Sequence, residues 1–128
     1  MIIIGVGANS QAQKGDFSAA LIEVRRNVRD AAIVATFDTA SFVNHVRDAA
    51  RDAAFEYLPM TLETMRARNG DCLTHSERSL SLFGVASVAE AAALAGAGPG
   101  SRLIMPRRII GHITVAAAQS ADEGEQSE

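Results

Sequence analysis

The chain has 128 residues, of which 48% are apolar, so its length and composition fit one globular domain with a single core. The formal net charge of -3 is concentrated at the end, because four of the 15 acidic residues lie at positions 122–128 and residues 1–118 hold 11 acidic against 12 basic side chains. This balance, without a cluster of Lys and Arg among aromatic residues, argues against nucleic acid as the main ligand.

The cysteine content and the hydropathy pattern set further limits. Cys72 is the single cysteine, so neither a disulfide framework nor a cysteine-rich metal site is predicted, and a reducing cytoplasm is the expected compartment. No run of about 18 apolar residues occurs, and the opening residues lack the basic region of a signal peptide. We therefore expect a cytoplasmic protein without a membrane segment.

The first half of the chain predicts repeated strand–helix units. A β-branched run over residues 2–6, ending in Gly7, is typical of a buried strand. Asp16 is the predicted N-cap of a first helix. Residues 31–37 predict a second strand, and a second helix is expected over residues 42–53 because its apolar side chains repeat at helical spacing.

The middle of the chain predicts shorter elements. Residues 55–60 predict a short strand, in which Pro59 indicates an edge strand or a strand end because it cannot donate to a ladder. Thr61 is expected to cap a short helix that ends by Arg68, residues 69–71 form a turn, and another helical segment starts at residues 74–77.

Ser87 and Glu90 have the spacing of a capping box, in which the Ser hydroxyl and the Glu carboxylate each accept from the other residue's backbone N–H. The Ala-rich run that follows has high helix propensity and little bulk, and a series of Gly and Pro residues ends it. We expect a short, thin helix that packs closely against its neighbours. Its N-terminus also offers partial positive charge to an anion, so Ser87 and Glu90 are candidate ligand-binding residues as well as cap residues.

Two more strands complete the predicted sheet. Residues 103–105 predict a strand that stops at Pro106, and residues 113–118 predict the last one. The short link between them favours antiparallel pairing, so the sheet is expected to be mixed. Residues 1–118 then form one domain, and residues 119–128 are expected to be a disordered acidic tail.

The loops after the first two strands predict a ligand site. In open α/β sheets ligands bind outside the carboxyl ends of parallel strands, which brings together Gly7, Asn9, Ser10, Thr36 and Asp38 if both strands are parallel neighbours. A dinucleotide site is not favoured, because Ser10 stands where the third Gly of the G-x-G-x-x-G motif is required. The alternative is that the glycines only let the chain turn closely at the strand end.

Basic residues near the last two strands are the next candidates. Arg107 and Arg108, together with His112, suit a ligand with several carboxylates, because guanidinium groups bind carboxylates bidentately. The alternative is a solvated hairpin tip. His45 and His75 have no helical His or Cys partner, so no metal site and no cofactor are predicted.

Three separated segments of the sequence resemble one family. They are residues 34–38 (VATFD), residues 84–94 (GVASVAEAAAL), and residues 103–108 (LIMPRR) together with 113–116 (ITVA). In content, order and spacing they are similar to CobE, a family of cobalamin-biosynthesis proteins that resembles the C-terminal domain of CbiG. The resemblance covers residues 1–118. The sequence departs from the family pattern at residues 9–10 and 39–40, where members often carry Arg and Lys respectively.

The resemblance implies a three-layer α/β/α sandwich with a mixed, mostly parallel sheet of about five strands. It also implies a role in building the corrin ring, with a corrinoid or precorrin intermediate bound and its conversion or transfer assisted. Two alternatives stay open. The chain is an interaction module that docks on another corrin-pathway enzyme, or it hydrolyses a lactone as the resemblance to CbiG implies.

Overall fold

The structure, a computed structural model, describes residues 1–121 and contains five strands and five α-helices within them. The strands are β1 Ile2–Ala8, β2 Ala31–Phe37, β3 Glu56–Met60, β4 Arg102–Ile110 and β5 Ile113–Gln119. The helices are α1 Lys14–Asn27, α2 Val43–Asp52, α3 Leu62–Arg66, α4 Glu77–Phe83 and α5 Val88–Ala97.

The five strands form one mixed sheet in the order β3-β2-β1-β5-β4. β1 pairs in parallel with β2, and β2 with β3, whereas β5 runs antiparallel to both of its neighbours, β1 and β4. Four strands therefore point the same way and β5 alone points back. The predicted mixed sheet, the antiparallel pairing of the last two strands and the edge position of the strand with Pro59 are confirmed.

Helices cover both faces of the sheet, as the predicted three-layer sandwich requires. Ile4 packs in a core with α1 and α2, and its neighbour Ile3 packs in a second core with α5 and Met65 of α3. This division follows from the alternation of side chains along a strand.

The Ala-rich helix α5 lies directly on β1. A Cβ added to Gly5 would be 1.8 Å from the carbonyl oxygen of Ala89 and 2.6 Å from the backbone nitrogen of Ala93. The predicted close packing is confirmed, but the role expected for the glycines is wrong. Gly5 and Gly7 lie inside β1 and not at a turn, and Gly5 is required because the helix backbone occupies the space of its side chain.

Two local predictions are wrong. Asp16 is not the N-cap of α1: the helix begins at Lys14, and Asp16 accepts a hydrogen bond of 2.8 Å from the backbone N–H of Gln13. The strand over residues 103–105 does not stop at Pro106, because β4 continues to Ile110. β4 is an edge strand with irregular register on both sides of Met105, so a Pro is accommodated there.

The predicted tail starts at residue 119, but the structure places Gln119 in the sheet as the last residue of β5. The backbone N–H of the next residue, Ser120, donates to the carbonyl of Met1. Residues 122–128 lie outside the described part of the chain. Within residues 1–121 no single helix is long and apolar enough to cross a membrane. Helices α4 and α5 together have that length and apolar character, but they are bent by 64° relative to each other.

Candidate functional site

A cavity of about 530 Å³ opens at the carboxyl ends of β1 and β2. Its walls come from four parts of the chain: the loops after β1 and β2, helix α4, the first turn of α5, and the β4–β5 hairpin. The lining includes Gly7, Asn9, Ser10, Phe37, Thr39, Phe42, Arg78, Ser79, Leu82, Phe83, Ser87, Val88, Arg107, Ile109, His112 and Thr114. The parallel pairing of β1 with β2 places both loops at one edge of the sheet.

The loop after β1 is held against the hairpin by Asn9 and His112. The backbone N–H of Asn9 donates to the carbonyl of His112 at 3.1 Å, and the Asn9 Nδ2 lies 3.0 Å from the His112 Nδ1. The Asn9 Oδ1 accepts from the backbone N–H of Gln11, which fixes the orientation of the amide. Nδ2 is therefore placed to donate and His112 Nδ1 to accept.

Arg107 and Arg108 face different sides of β4. Arg107 lines the cavity, whereas Arg108 forms an ion pair of 3.6 Å with Glu23 of α1 on the other face of the sheet. Both residues of that ion pair are about half exposed, with side-chain values of 45% and 46%. The predicted pair of arginines is thus divided, and only Arg107 can meet a ligand in the cavity.

Part of the cavity lining is apolar and aromatic. The rings of Phe37 and Phe83 lie 4.9 Å apart, and Phe42 meets Phe37 edge-on at 5.9 Å. Leu82 and Ile109 also line the cavity, and they are 58% and 65% exposed. The cavity therefore offers a flat hydrophobic ligand both an aromatic wall and an apolar rim.

The charge on the cavity wall is entirely positive. Arg78 and Arg107 are the charged residues among those that line it, and no Asp or Glu is included. Within residues 1–121 neither guanidinium forms an ion pair or a side-chain hydrogen bond. The hydroxyl of Ser79, next to Arg78 on α4, is buried and also lacks a partner in the described chain. The cavity thus presents free donors to an anion.

The capping box over residues 87–90 is only half formed. Ser87 is the N-cap of α5 and its Oγ accepts from the Glu90 backbone N–H at 3.3 Å, which confirms that half of the prediction. The other half is wrong, since Glu90 is fully buried and its carboxylate points elsewhere. It accepts from the N–H groups of Leu73, Thr74 and Arg107 at 2.8–2.9 Å and from the Thr74 hydroxyl at 3.1 Å.

Glu90 therefore joins three segments at the edge of the cavity without lining it. It ties α5 to the segment that leads into α4 and to the backbone of β4 at Arg107. With four donors, the hydrogen-bonding capacity of this buried carboxylate is satisfied. Its lone pairs are already used, so a role as general base would require breaking these hydrogen bonds.

Cys72 is buried and lies close to Ser87, at the N-terminal end of α5. Burial raises the pKa of its thiol to about 11, the nearby charge of Glu90 adds to the effect, and a hydrogen bond from the backbone of Ser87 opposes it. The thiol is therefore protonated at neutral pH, and it is not an activated nucleophile.

Two further predicted site residues lie apart from the cavity. Thr36 is fully buried, and its hydroxyl donates to the carbonyl of Val6 at 2.7 Å, which ties β2 to β1. Asp38 is exposed and is not in the lining; burial, and secondarily the charge of Asp38, raises the pKa of Tyr57 on β3. Within residues 1–121 no three His, Cys, Asp or Glu side chains come together as a metal site.

Of the ten predicted site residues, the cavity brings together Gly7, Asn9, Ser10, Ser87, Arg107 and His112, and it leaves out Thr36, Asp38, Glu90 and Arg108. The sequence reasoning missed the α4 wall, above all Arg78, and the aromatic residues. No local pattern pointed to them, because α4 reaches the site only through the packing of distant segments. Asn9 and Thr39 are neutral, so the positive charge comes from Arg78 and Arg107 instead.

Comparison with known proteins identifies the family. Residues 2–118 match a family model described as the cobalamin synthesis G C-terminus. The chain belongs to this family. The predicted resemblance to the CobE and CbiG C-terminal proteins is thereby confirmed, and the chain is a cobalamin-biosynthesis protein.

Solved structures from the same pathway share the fold of this CbiG C-terminal domain. CobE, described as a protein from the cobalamin (vitamin B12) biosynthetic pathway, has a TM-score of 0.80 and 23% identity over 92% of this chain and 89% of its own. The cobalamin biosynthesis protein chiG from Agrobacterium tumefaciens str. C58 has a TM-score of 0.69 and 30% identity over 95% of this chain and 100% of its own.

A longer protein also contains the fold. A homologue of cobalamin biosynthesis protein G from Sulfolobus solfataricus has a TM-score of 0.65 and 20% identity over 94% of this chain, but over 37% of its own length. A sequence comparison with curated proteins gives no match.

Proposed function

We propose that this protein binds a corrinoid or precorrin intermediate in the cavity at the carboxyl ends of β1 and β2, and that it assists the conversion or transfer of that intermediate. One observation carries the proposal: a cavity with an aromatic wall is lined by two arginines that have no ion-pair partner within residues 1–121, and by no acidic residue from that part of the chain. Membership of a cobalamin-biosynthesis family supports the choice of ligand.

The chemistry of a corrin-pathway intermediate matches the two parts of this cavity. Such a molecule is a flat macrocycle with an apolar face and with carboxylate side chains around its rim. The macrocycle fits against Phe37, Phe42 and Phe83, where aromatic and apolar groups gain from burial. The carboxylates fit Arg78 and Arg107, because a guanidinium forms charge-assisted hydrogen bonds with a carboxylate.

The open rim of the cavity favours transfer over enclosure. Leu82 and Ile109 on the rim are more than half exposed. A bound macrocycle would therefore leave one edge in solvent, within reach of a second protein.

Titration with a corrinoid tests the proposal directly. Cobyrinic acid, in which every peripheral acid group is free, is added to the purified protein and its visible absorbance is followed. Amino-acid side chains do not absorb visible light, so the protein does not interfere. We expect a saturable spectral shift with a dissociation constant of about 10 µM or below. The proposal is wrong if neither the spectrum nor equilibrium dialysis reveals binding at several-fold higher protein concentration.

A substitution in the cavity wall locates the binding. Phe83→Ala removes one of the three rings of the aromatic wall formed by Phe37, Phe42 and Phe83. We expect it to weaken binding of cobyrinic acid by about tenfold or more. Ile22→Ala serves as the control, because Ile22 is an apolar residue on α1 that is 52% exposed and does not line this cavity. If both variants bind like the original protein, the corrinoid lies elsewhere.

A second function is favoured by the exposed apolar rim and by the longer Sulfolobus relative, of which this chain covers 37%. On this view the domain docks on another corrin-pathway enzyme. Co-purification with pathway enzymes tests it, with Leu82→Asp and Ile109→Asp as rim variants. A complex that those variants abolish, in the absence of any corrinoid binding, would favour docking over ligand binding. We propose no lactone hydrolysis, since Glu90 is occupied by four donors and Asp38 lies outside the cavity.

A further inference from the structure

We infer that the cavity selects its ligand by peripheral charge, and that it binds corrinoids with free carboxylates in preference to those in which the carboxylates have become amides. The inference rests on the proposed function and adds to it the chemical class of the ligand's rim. Two observations support it: the two arginines that line the cavity lie on separate elements without an ion-pair partner within residues 1–121, and the buried carboxylate of Glu90 beside the cavity is used by other donors.

The two arginines lie on separate parts of the cavity. Arg78 is on α4 and Arg107 is on β4, so they approach a ligand from different walls. Within residues 1–121 neither has an acidic partner, and the lining contains no carboxylate that could neutralise them. A ligand that brings two separate carboxylates would supply the missing counter-charges. An amide in the same place is neutral and forms a weaker hydrogen bond with a guanidinium.

The carboxylate of Glu90 is hydrogen-bonded to the backbone of Arg107 and of the segment that leads into α4, so it is committed to these donors. Its Oε1 accepts from the backbone N–H groups of Leu73 and Thr74, and its Oε2 accepts from the Thr74 hydroxyl and the backbone N–H of Arg107. Glu90 thus fixes the backbone that carries Arg107 and the segment that leads into α4. Both guanidinium groups are positioned without being neutralised.

The geometry of Arg108 provides a natural comparison. It is adjacent to Arg107 in sequence and lies on the same strand, but its guanidinium pairs with Glu23 on the opposite face. Arg108 therefore contributes the same formal charge to the protein without facing the cavity. Removing it tests whether net charge alone explains a preference for anionic ligands.

Two corrinoids with the same macrocycle and metal separate the effect of peripheral charge from the effect of the ring. Cobyrinic acid carries free carboxylates, and cobinamide carries amides at the same positions. We expect cobyrinic acid to bind at least about tenfold more tightly at low salt, and the difference to shrink as salt is added. If cobinamide binds equally well, the inference is wrong while the proposed function stands. If neither corrinoid binds, both are wrong.

Substitutions assign the preference to the two arginines. The double variant Arg78→Ala with Arg107→Ala should bind the two corrinoids with nearly equal affinity, because the cavity then has no charge. Arg108→Ala should retain the full preference. A second double variant, Arg78→Lys with Arg107→Lys, keeps the charge and should keep part of the preference. Thermal unfolding of each variant is measured in parallel, and a preference retained by a folded double Ala variant would overturn the inference.

Discussion

The arginines near the two ends of helix α5 differ in whether their guanidinium groups have partners within the described part of the protein. At the C-terminal end, the guanidinium of Arg68 donates to the carbonyl oxygens of Leu94, Gly98 and Ser101 and to the Ser101 hydroxyl at 2.8–3.0 Å, and its Nε pairs with Asp71. At the N-terminal end, Arg78 and Arg107 face a cavity and have no such partners within residues 1–121.

The difference separates a structural arginine from one available to a ligand. Arg68 satisfies carbonyl groups that the end of a helix leaves without partners, and its side chain is only 15% exposed. Its donors are used within the protein. Arg78 and Arg107 retain their donors, so their removal should affect ligand binding far more than folding. Four predictions test the structural roles assigned to Arg68 and to the residues at the other end of α5, in order from the largest expected effect on stability to the smallest.

Arg68→Ala should have the largest effect. It removes the donor group shared by several carbonyls at the end of α5, and we expect the free energy of unfolding to fall by about 3 kcal/mol. Urea denaturation monitored by circular dichroism measures it. Arg108→Ala is the matched control, because it breaks only an exposed ion pair and should cost less than about 1 kcal/mol. Equal losses in the two variants would contradict the structural role assigned to Arg68.

Glu90→Gln should have the next largest effect. The amide oxygen can retain the N–H groups of Leu73 and Thr74, but the new NH₂ group then faces the N–H of Arg107, which is also a donor. We expect a loss of about 2 kcal/mol in denaturant unfolding. Glu77→Gln, on the exposed first turn of α4, provides the control and should change stability little. A Glu90→Gln protein as stable as the original would mean that the four hydrogen bonds contribute no net stability.

Cys72 should make stability depend on pH in the alkaline range. The folded protein holds the thiol proton more tightly than the unfolded chain, since burial raises the pKa from 9.0 to about 11. The stability contribution is therefore present below pH 9 and is lost as the pH rises towards 11, by up to about 2 kcal/mol. Urea unfolding at several pH values measures this loss in the original protein and in Cys72→Ala. Parallel pH profiles for the two proteins would show the prediction to be wrong.

Ser87→Ala should have the smallest effect of the four. It removes the hydroxyl that accepts from the Glu90 backbone N–H, and loss of an N-cap costs about 1 kcal/mol. Thermal unfolding measures it, with Ser76→Ala at the N-cap of the shorter α4 as a comparison. If Ser87→Ala left the melting temperature unchanged but weakened binding of cobyrinic acid, Ser87 would contact the ligand instead of stabilising the helix.

Much of the secondary structure could be predicted because its signals are local. The β-branched run at residues 2–6 and the Ser87 cap depend on residues close in sequence, and the structure contains both elements. The end of β4 could not be predicted in the same way. A proline often ends a strand because it has no N–H to donate to a neighbouring strand. At Pro106 this donor is not required, because β4 is an edge strand, and the position of β4 in the sheet is not visible in the sequence.

The candidate site was predicted in part, for the same reason. The loops after two parallel strands must meet, so Asn9 and Ser10 were found from the order of the elements. The division of Arg107 from Arg108 follows from side-chain alternation along a strand, but only once β4 is known to continue past Pro106. Arg78 had no signal, since its place beside the cavity depends on the packing of α4 against segments far away in the sequence.

The sequence by itself determined the family, the mixed α/β sheet and the thin, capped helix α5, because motifs, hydrophobic periodicity and capping act over short stretches of chain. Only the tertiary structure decided what each charged group does. Glu90 joins three segments instead of returning to Ser87 as its spacing predicts. Arg68 is bound to carbonyl groups, whereas Arg107 has no side-chain partner within residues 1–121. These roles depend on which donors and acceptors folding brings within about 3 Å, and spacing along the chain does not fix them.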